Sequence, residues 1–472
     1  MPPRFLLFIL LFTVSCGMSN AHKPATDSII PANKPLMKDF MGINGHFAFK
    51  PALYGQVCRL VRNYHNMNWD AEKPGDSIHP PFATNNINWK NDVYGPWKEH
   101  GFETDICLQF LGFGPSVKDY KERWAGKESW AYDYGKAMAS YFGPAGQEKL
   151  CTSMEIDNEP GSYFDSTLFK KLFREMARGI RAGDSTIRIL TPAVTAGRED
   201  KYSQDLPSMY GSSDMLPLYD VINVHTYPTI DKGILDENGW NRSYPEDKSL
   251  YYLEMVNSTI AWRNAQAKDK EIWITEFGYD ACTDTAMTKR KDWALKLNWQ
   301  GTTDLQQAQY LVRSFLLFSA MDVQRAYLYY YDDDDEASVH AASGITRHFV
   351  PKTAFWAVKQ LYQTLGDYRF NKIIKQDSGK AYVYEYIKGD DPAQVIWVAW
   401  SPTGVRTDKK NGYQPKQSAI ELSQLPGKVV QVKGMAESEN TEPEVSYKQN
   451  DAAGLSITIA ESPVYIRFEA NK

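Results

Sequence analysis

Between residues 40 and 365 the chain alternates two hydrophobic patterns. Short apolar runs fall at 40–44, 59–63, 104–111, 152–157, 187–191, 221–225, 272–276 and 326–331. They lack strict in–out alternation, as expected of strands covered on both faces. Between them, helical spacing appears at 129–142, 166–182, 250–267, 304–321 and 352–365. In the second of these stretches Leu168, Leu172, Phe173, Met176 and Ile180 recur on one face. Eight strand candidates with intervening helices predict an α/β fold, a (β/α)8 TIM barrel over 39–366. An open doubly wound sheet is the fallback. The first helical slot, near 51–56, is short and weak. From about residue 370 the pattern changes to alternating runs at 381–387, 395–399, 429–432, 456–459 and 464–468, separated by Gly, Pro and Asp. These predict a small C-terminal antiparallel β-sandwich over 367–472.

The N-terminus reads as a signal peptide over 1–21. Arg4 precedes an apolar run, 5–14, too short to span a bilayer as a helix. Ser15-Cys16-Gly17 resembles the lipobox of a bacterial lipoprotein, although Thr13 stands where such boxes prefer Leu. Ser19-Asn20-Ala21 would instead serve ordinary cleavage. Cleavage before Cys16 makes that cysteine the candidate outer-membrane lipid anchor, and a polar tether over 22–38 would follow. The expected location is secreted or cell-envelope, in the periplasm or outer membrane of a Gram-negative bacterium. A monomer is expected.

Composition narrows the function. The net charge is −5, with both signs interspersed, so no basic face suggests nucleic acid. Much of the content of 13 Trp and 29 Tyr is core by default, and a surplus beside polar residues also suits stacking on sugar rings. Cys58, Cys107, Cys151 and Cys282 have no zinc spacing and read as small apolar core residues rather than a disulfide framework.

Chemistry collects at the strand ends, where barrel enzymes keep it. The run Ser153-Met-Glu-Ile-Asp-Asn-Glu-Pro160 ends the fourth strand with Asn158 and Glu159. The run Glu271-Ile-Trp-Ile-Thr-Glu276 ends the seventh. Two carboxylates on separate strand ends are what glycosidic cleavage requires, one as proton donor and one to attack or stabilise the sugar cation. A glutamate before proline is also an ordinary helix-start residue, so neither glutamate is specific alone. Arg62 ends the second strand, His225 and Tyr227 the sixth, and Tyr329, Tyr331 and Asp332 the eighth.

Asn-Glu-Pro after the fourth strand and Thr-Glu on the seventh resemble the retaining glycoside hydrolases of the (β/α)8-barrel superfamily, clan A. The stretches Asp220-Val-Ile-Asn-Val-His-Thr-Tyr-Pro228 and Leu60-Val-Arg-Asn-Tyr-His65 are similar to glycoside hydrolase family 39, which includes β-xylosidases. The likeness spans about 40–365 and rests on motifs. It implies Glu159 as acid/base and Glu276 as nucleophile, with no metal and no cofactor. It further implies that Arg62 holds Glu276 anionic, with Arg59 as the alternative, and that the Tyr227 hydroxyl donates to it. Asn158 would bond the sugar 2-hydroxyl, and His225 would lie near the acid/base or the sugar.

The chain departs from the pattern at the eighth strand. Many relatives carry a tryptophan floor there; this sequence has Tyr327-Leu-Tyr-Tyr-Tyr331 followed by Asp332 to Asp335. Tyr331 is the expected substitute, and Asp332 is expected to contact substrate. The acidic run has two further readings, a solvated loop or a calcium site, although consecutive carboxylates lack the looped spacing calcium prefers. Trp69 is expected to line a subsite. Trp89, Trp97, Trp124, Trp130 and Trp240 divide between subsites and packing. The expected partner is a β-linked glycan, cleaved in endo fashion. A catalytically silent, surface glycan-binding lipoprotein is the rival from another class. A metal-dependent barrel hydrolase lacks ligands, because among the histidines only His225 sits cleanly on a strand end.

Overall fold

The computed structural model describes residues 34–110, 117–161, 164–198, 200–230, 241–296, 298–404, 416–450 and 454–469. The signal peptide with Cys16, most of the tether, and Trp240 lie outside them. Among the described residues no helix is long and apolar enough to cross a membrane.

Eight parallel strands close on themselves: β1 Met41–Gly45, β2 Leu60–Asn66, β3 Glu103–Gln109, β4 Ser153–Ile156, β5 Arg188–Thr195, β6 Val221–His225, β7 Glu271–Phe277 and β8 Arg325–Leu328. Each pairs with its neighbours in chain order, and β8 returns to β1. The barrel is therefore closed and the open-sheet fallback is excluded. Helices Glu128–Phe142, Ser166–Gly183, Leu253–Gln266, Asp304–Ala320 and Thr353–Leu365 stand within three residues of their predicted limits. Local chemistry explains two of the starts. Asp165 caps the helix at Ser166 by accepting from Thr167 N and Leu168 N, and Thr303 with Gln306 forms a capping box. The weak first slot is a four-residue helix, Pro51–Tyr54.

Layering inside the barrel separates structure from chemistry. Leu60, Leu190, Val221, Trp273 and Tyr327 form an apolar plug low in the barrel. Above it the inward residues turn polar: Asn44, Arg62, Glu155, Asn223 and Thr275, all fully buried. Strand alternation places them one pleat above the plug, below the rim.

The C-terminal unit has two antiparallel sheets. One has five strands, Tyr368–Asp377, Ala381–Lys388, Val395–Trp400, Val464–Phe468 and Val429–Gly434, and the other has three, Gln417–Leu422, Gly454–Ala460 and Tyr447–Asn450. Period-two alternation gives each face of the larger sheet a partner. Val383, Trp397 and Ile466 pack against Ile420, Leu455 and Ile457 of the smaller sheet. Tyr382, Tyr384, Tyr386 and Trp400 join the barrel's own core. Trp400 Nε1 donates to Glu246 at 2.7 Å, and Glu246 pairs with the buried Arg313.

The tether ends earlier than its predicted limit at 38. Met37 and Phe40 are buried, and Lys38 N donates to Gly366 O, so residues 34–38 belong to the packed unit. Apolar side chains in this short stretch find the end of the last barrel helix. The four cysteines in the described residues are free and buried, as expected.

Candidate active site

β2 carries the arginine on which the site is built. Arg62 is wholly buried at the inner face of the barrel. Its Nε and Nη2 donate to the two oxygens of Glu155 at 2.7 and 2.8 Å. Nη1 donates to Asn44 Oδ1 at 2.8 Å and to Glu276 Oε1 at 3.0 Å, and Nη2 reaches Asn158 Oδ1 at 2.7 Å. One guanidinium thus joins β1, β2, β4 and β7, a role that needs its planar fork of donors. Arg59 is not the alternative: it pairs with Asp39 and Glu103, away from Glu276.

Glu276 lies inside β7, and its neighbour is set by register. The pairing of β7 with β6 shifts between Ile274 and Glu276, which brings Glu276 opposite His225. The Glu276 carboxylate then accepts from Arg62, from Tyr64 Oη at 2.5 Å and from Tyr227 Oη at 2.8 Å. Burial alone would raise its pKa. His225 and Arg62, helped by the two hydroxyls, outweigh burial and hold it at about 2, below its ordinary 4.5. Burial, followed by Glu276, pushes the Tyr64 and Tyr227 hydroxyls up, so both remain donors.

Glu159 follows β4 after a change of chain direction. Asp157 adopts φ +67°, a left-handed conformation that breaks strand alternation. Its carboxyl accepts from Asn158 N, and burial raises its pKa to about 7. Glu159 Oε1 lies 2.8 Å from His225 Nδ1, and the Glu159 side chain is 26% exposed against 6% for Glu276. Glu159 is thus the more open of the two carboxylates.

The proton between Glu159 and His225 is located by the bonds behind it. Asn223 Nδ2 donates to Glu155 Oε1 at 2.8 Å, which points its carbonyl oxygen at Thr275. The Thr275 hydroxyl donates to that oxygen and so accepts from His225 Nε2 at 3.0 Å. With Nε2 bearing a hydrogen, the Nδ1–Oε1 contact needs one further proton, shared by the imidazole and Glu159. Burial opposes a charged imidazole, but Glu276 and the Glu159 bond raise the His225 pKa overall.

Ligand atoms of Glu159, His225 and Glu276 lie within 4.8 Å of one another, a reach that would also suit a metal. The donor set argues against one. Glu276 is already saturated by a cation and two hydroxyls, and Arg62 stands where a metal's charge would be repelled.

The structure brings Arg62, Asn158, Glu159, His225, Tyr227 and Glu276 together. It does not bring Tyr331 and Asp332 there. β8 ends at Leu328, three residues before its predicted limit, so Tyr329 takes the place facing the carboxylates, edge-on to Tyr64 at 6.4 Å. Tyr331 turns into the core between Phe49 and Tyr54. Asp332 Oδ1 accepts from Thr346 Oγ1 and Phe349 N, both at 2.6 Å, and shapes its own loop. The rest of the acidic run is divided: Asp333 is buried against Lys352 at 3.1 Å, Asp334 is solvated, and Asp335 holds Thr283 and Arg347. Two neighbouring cations at Asp333 and Asp335 fit ion pairing rather than calcium. Trp69 is half-buried at the rim, stacked on Trp89 and edge-on to His46. Trp89, Trp97, Trp124 and Trp130 are buried and serve packing.

Sequence reasoning missed Tyr64, Asn44, Glu155, Asn223 and Thr275, and it placed Tyr329 on the rim without preferring it to Tyr331. Tyr64 stands two residues from Arg62 on the same strand, and the period-two rule would have found it.

With this geometry in view, solved structures supply the comparison. A family 39 glycoside hydrolase from Bacteroides cellulosilyticus superposes with a TM-score of 0.60 at 14% identity, covering 92% of this chain and 81% of that one. A monomeric β-xylosidase from Caulobacter crescentus gives 0.59 at 15%, covering 92% and 97%. This chain shares the closed (β/α)8-barrel fold of these structures. The family 39 enzyme from Xanthomonas axonopodis pv. citri superposes with 0.58 at 15%, covering 92% and 94%. No protein-family model matches the sequence, and no curated protein matches it by sequence.

Proposed function

We propose that the chain is a retaining glycoside hydrolase acting on a β-linked glycan, with Glu159 as acid/base and Glu276 as nucleophile. The observation that carries this reading is the pair itself: carboxylate oxygens from the ends of β4 and β7 lie within 4.8 Å, and one of the two groups is held ionised. A separation this short suits direct attack by the second carboxylate and leaves little room for an intervening water. In the first step Glu276 attacks the anomeric carbon while the Glu159–His225 proton passes to the departing oxygen. In the second, Glu159 takes a proton from water, which displaces Glu276 from the sugar. Arg62, Tyr64 and Tyr227 keep Glu276 anionic and aimed. Asn158, fixed by Arg62, is placed to bond the 2-hydroxyl. No step requires a cofactor. The structural neighbours support a glycan substrate; endo action, secretion, a lipid anchor through Cys16 and a monomeric state complete the proposal.

The test is digestion of laminarin, cellulose, xylan, galactan, agarose and porphyran by wild type and by Glu276→Gln, with products resolved and the anomer first released identified by NMR. Wild-type products of retained configuration, absent with the variant, are expected. Equal release by both proteins, or an inverted first product, would overturn the assignment. Glycan capture without cleavage by either protein would favour the binding-protein reading.

A further inference from the structure

His340 lies in the loop after β8, 11 residues beyond Tyr329, and it stands over the catalytic pair. Its ring meets Tyr227 edge-on, with centroids 4.9 Å apart, and Tyr329 at 5.4 Å. Tyr227 is the residue that donates to Glu276, so the three rings form one wall above the nucleophile. The loop is clamped from behind. His340 N donates to Asp280 Oδ1 at 2.7 Å, and Ser343 Oγ donates to the same oxygen at 2.6 Å. Ala281 N donates to Ala342 O at 2.8 Å. Asp280 follows Glu276 by four residues and is itself held by Arg242 Nε at 3.1 Å. The chain that carries the nucleophile therefore also fixes the imidazole.

Among the described residues the imidazole of His340 has ring contacts but no hydrogen-bond partner. Nδ1 is buried without a hydrogen bond. Arg62, Tyr64 and Tyr227 are each bonded to Glu276, and an unpaired buried nitrogen calls for an explanation. With Nδ1 enclosed, the neutral ring presents its hydrogen at Nε2, the nitrogen that is not enclosed. Burial, followed by Arg242, lowers the His340 pKa, so the ring offers a neutral N–H donor that suits a hydroxyl.

We propose that His340 is a specificity-determining residue of the sugar site, its Nε2–H donating to a ring hydroxyl of a neutral sugar bound above Glu276. This rests on the glycosidase reading. The probes are aryl β-glucosides, β-xylosides and β-galactosides with their monodeoxy forms, on wild type, His340→Phe and His340→Gln. Phe keeps the edge-to-face packing and removes both nitrogens; Gln restores a donor. Loss of one such bond lowers kcat/KM about tenfold. We expect that loss in His340→Phe at an unchanged melting temperature, with recovery in His340→Gln. One monodeoxy substrate should show the same loss with wild type and little further loss with His340→Phe. Equal kcat/KM for His340→Phe and wild type, or a loss spread evenly over all deoxy forms, would overturn the proposal. If wild type and Glu276→Gln are alike on every substrate, the glycosidase reading fails first and this inference falls with it.

Discussion

Replacing Arg62 by methionine tests the arrangement at its centre. The substitution removes one cation from two carboxylates whose side chains are 0% and 6% exposed. Five oxygen-directed bonds go with it, to Glu155, Asn44, Glu276 and Asn158. Breaking a buried ion pair from one side costs about 3–5 kcal/mol, because a charge is left uncompensated. Against a folding free energy of roughly 5–15 kcal/mol, such a variant is crippled but measurable. The loss should depend on pH. Burial already raises the pKa of Glu155, with Arg62 opposing it; without Arg62 the pKa rises further. A carboxyl whose folded pKa exceeds its unfolded value gains stability as pH falls toward the latter, because the native state holds the extra proton. Each pH unit in that window restores about 1.4 kcal/mol per carboxyl. Urea unfolding of wild type and Arg62→Met at pH 7 and pH 5 should therefore show a gap that narrows on acidification. A gap below about 1 kcal/mol, or one independent of pH, would refute the view that Arg62 is the shared counter-ion.

Four further outcomes are expected. Glu276 is held at about 2 against an ordinary 4.5, so its contribution to stability is present above pH 4.5 and lost as pH falls through about 2. That amounts to about 3 kcal/mol, and Glu276→Gln should lack this acid limb in denaturation curves. His225 is raised, so its contribution is complete below pH 6.5 and lost as pH rises through its higher folded value; kcat should fall over the same alkaline range, and a profile flat to pH 10 would contradict the shared proton. Tyr64→Phe removes one donor from Glu276 and should lower kcat/KM about tenfold while shifting the acid limb of activity upward. Asp332→Asn should leave kcat/KM within about twofold and cost about 1 kcal/mol of stability in thermal or urea unfolding, because its bonds serve the loop.

Local patterns along the chain were enough for the element order and for the residues at the ends of β4, β6 and β7, whereas closure of the sheet into a barrel came from the pairing of β8 with β1. Period and turn chemistry are local properties, and a strand's last residue falls on the rim whatever its partners are. The paired glutamates were legible for that reason. The layer beneath them, Glu155 with Asn223 and Thr275, is written in the same strands, yet its meaning depends on which strands lie side by side. Only the register between β6 and β7 sets Glu276 beside His225. Only the length of β8 decides that Tyr329, and not Tyr331, faces the site. The acidic run shows the same limit: Asp332 to Asp335 look alike along the chain, and one is buried on a lysine while its neighbour is solvated. His340 carries no local signal at all, because its place above Glu276 comes from a loop pinned to Asp280 across 60 residues. Contacts of that span are fixed by closure of the barrel, and no pattern within a strand or a helix can encode them.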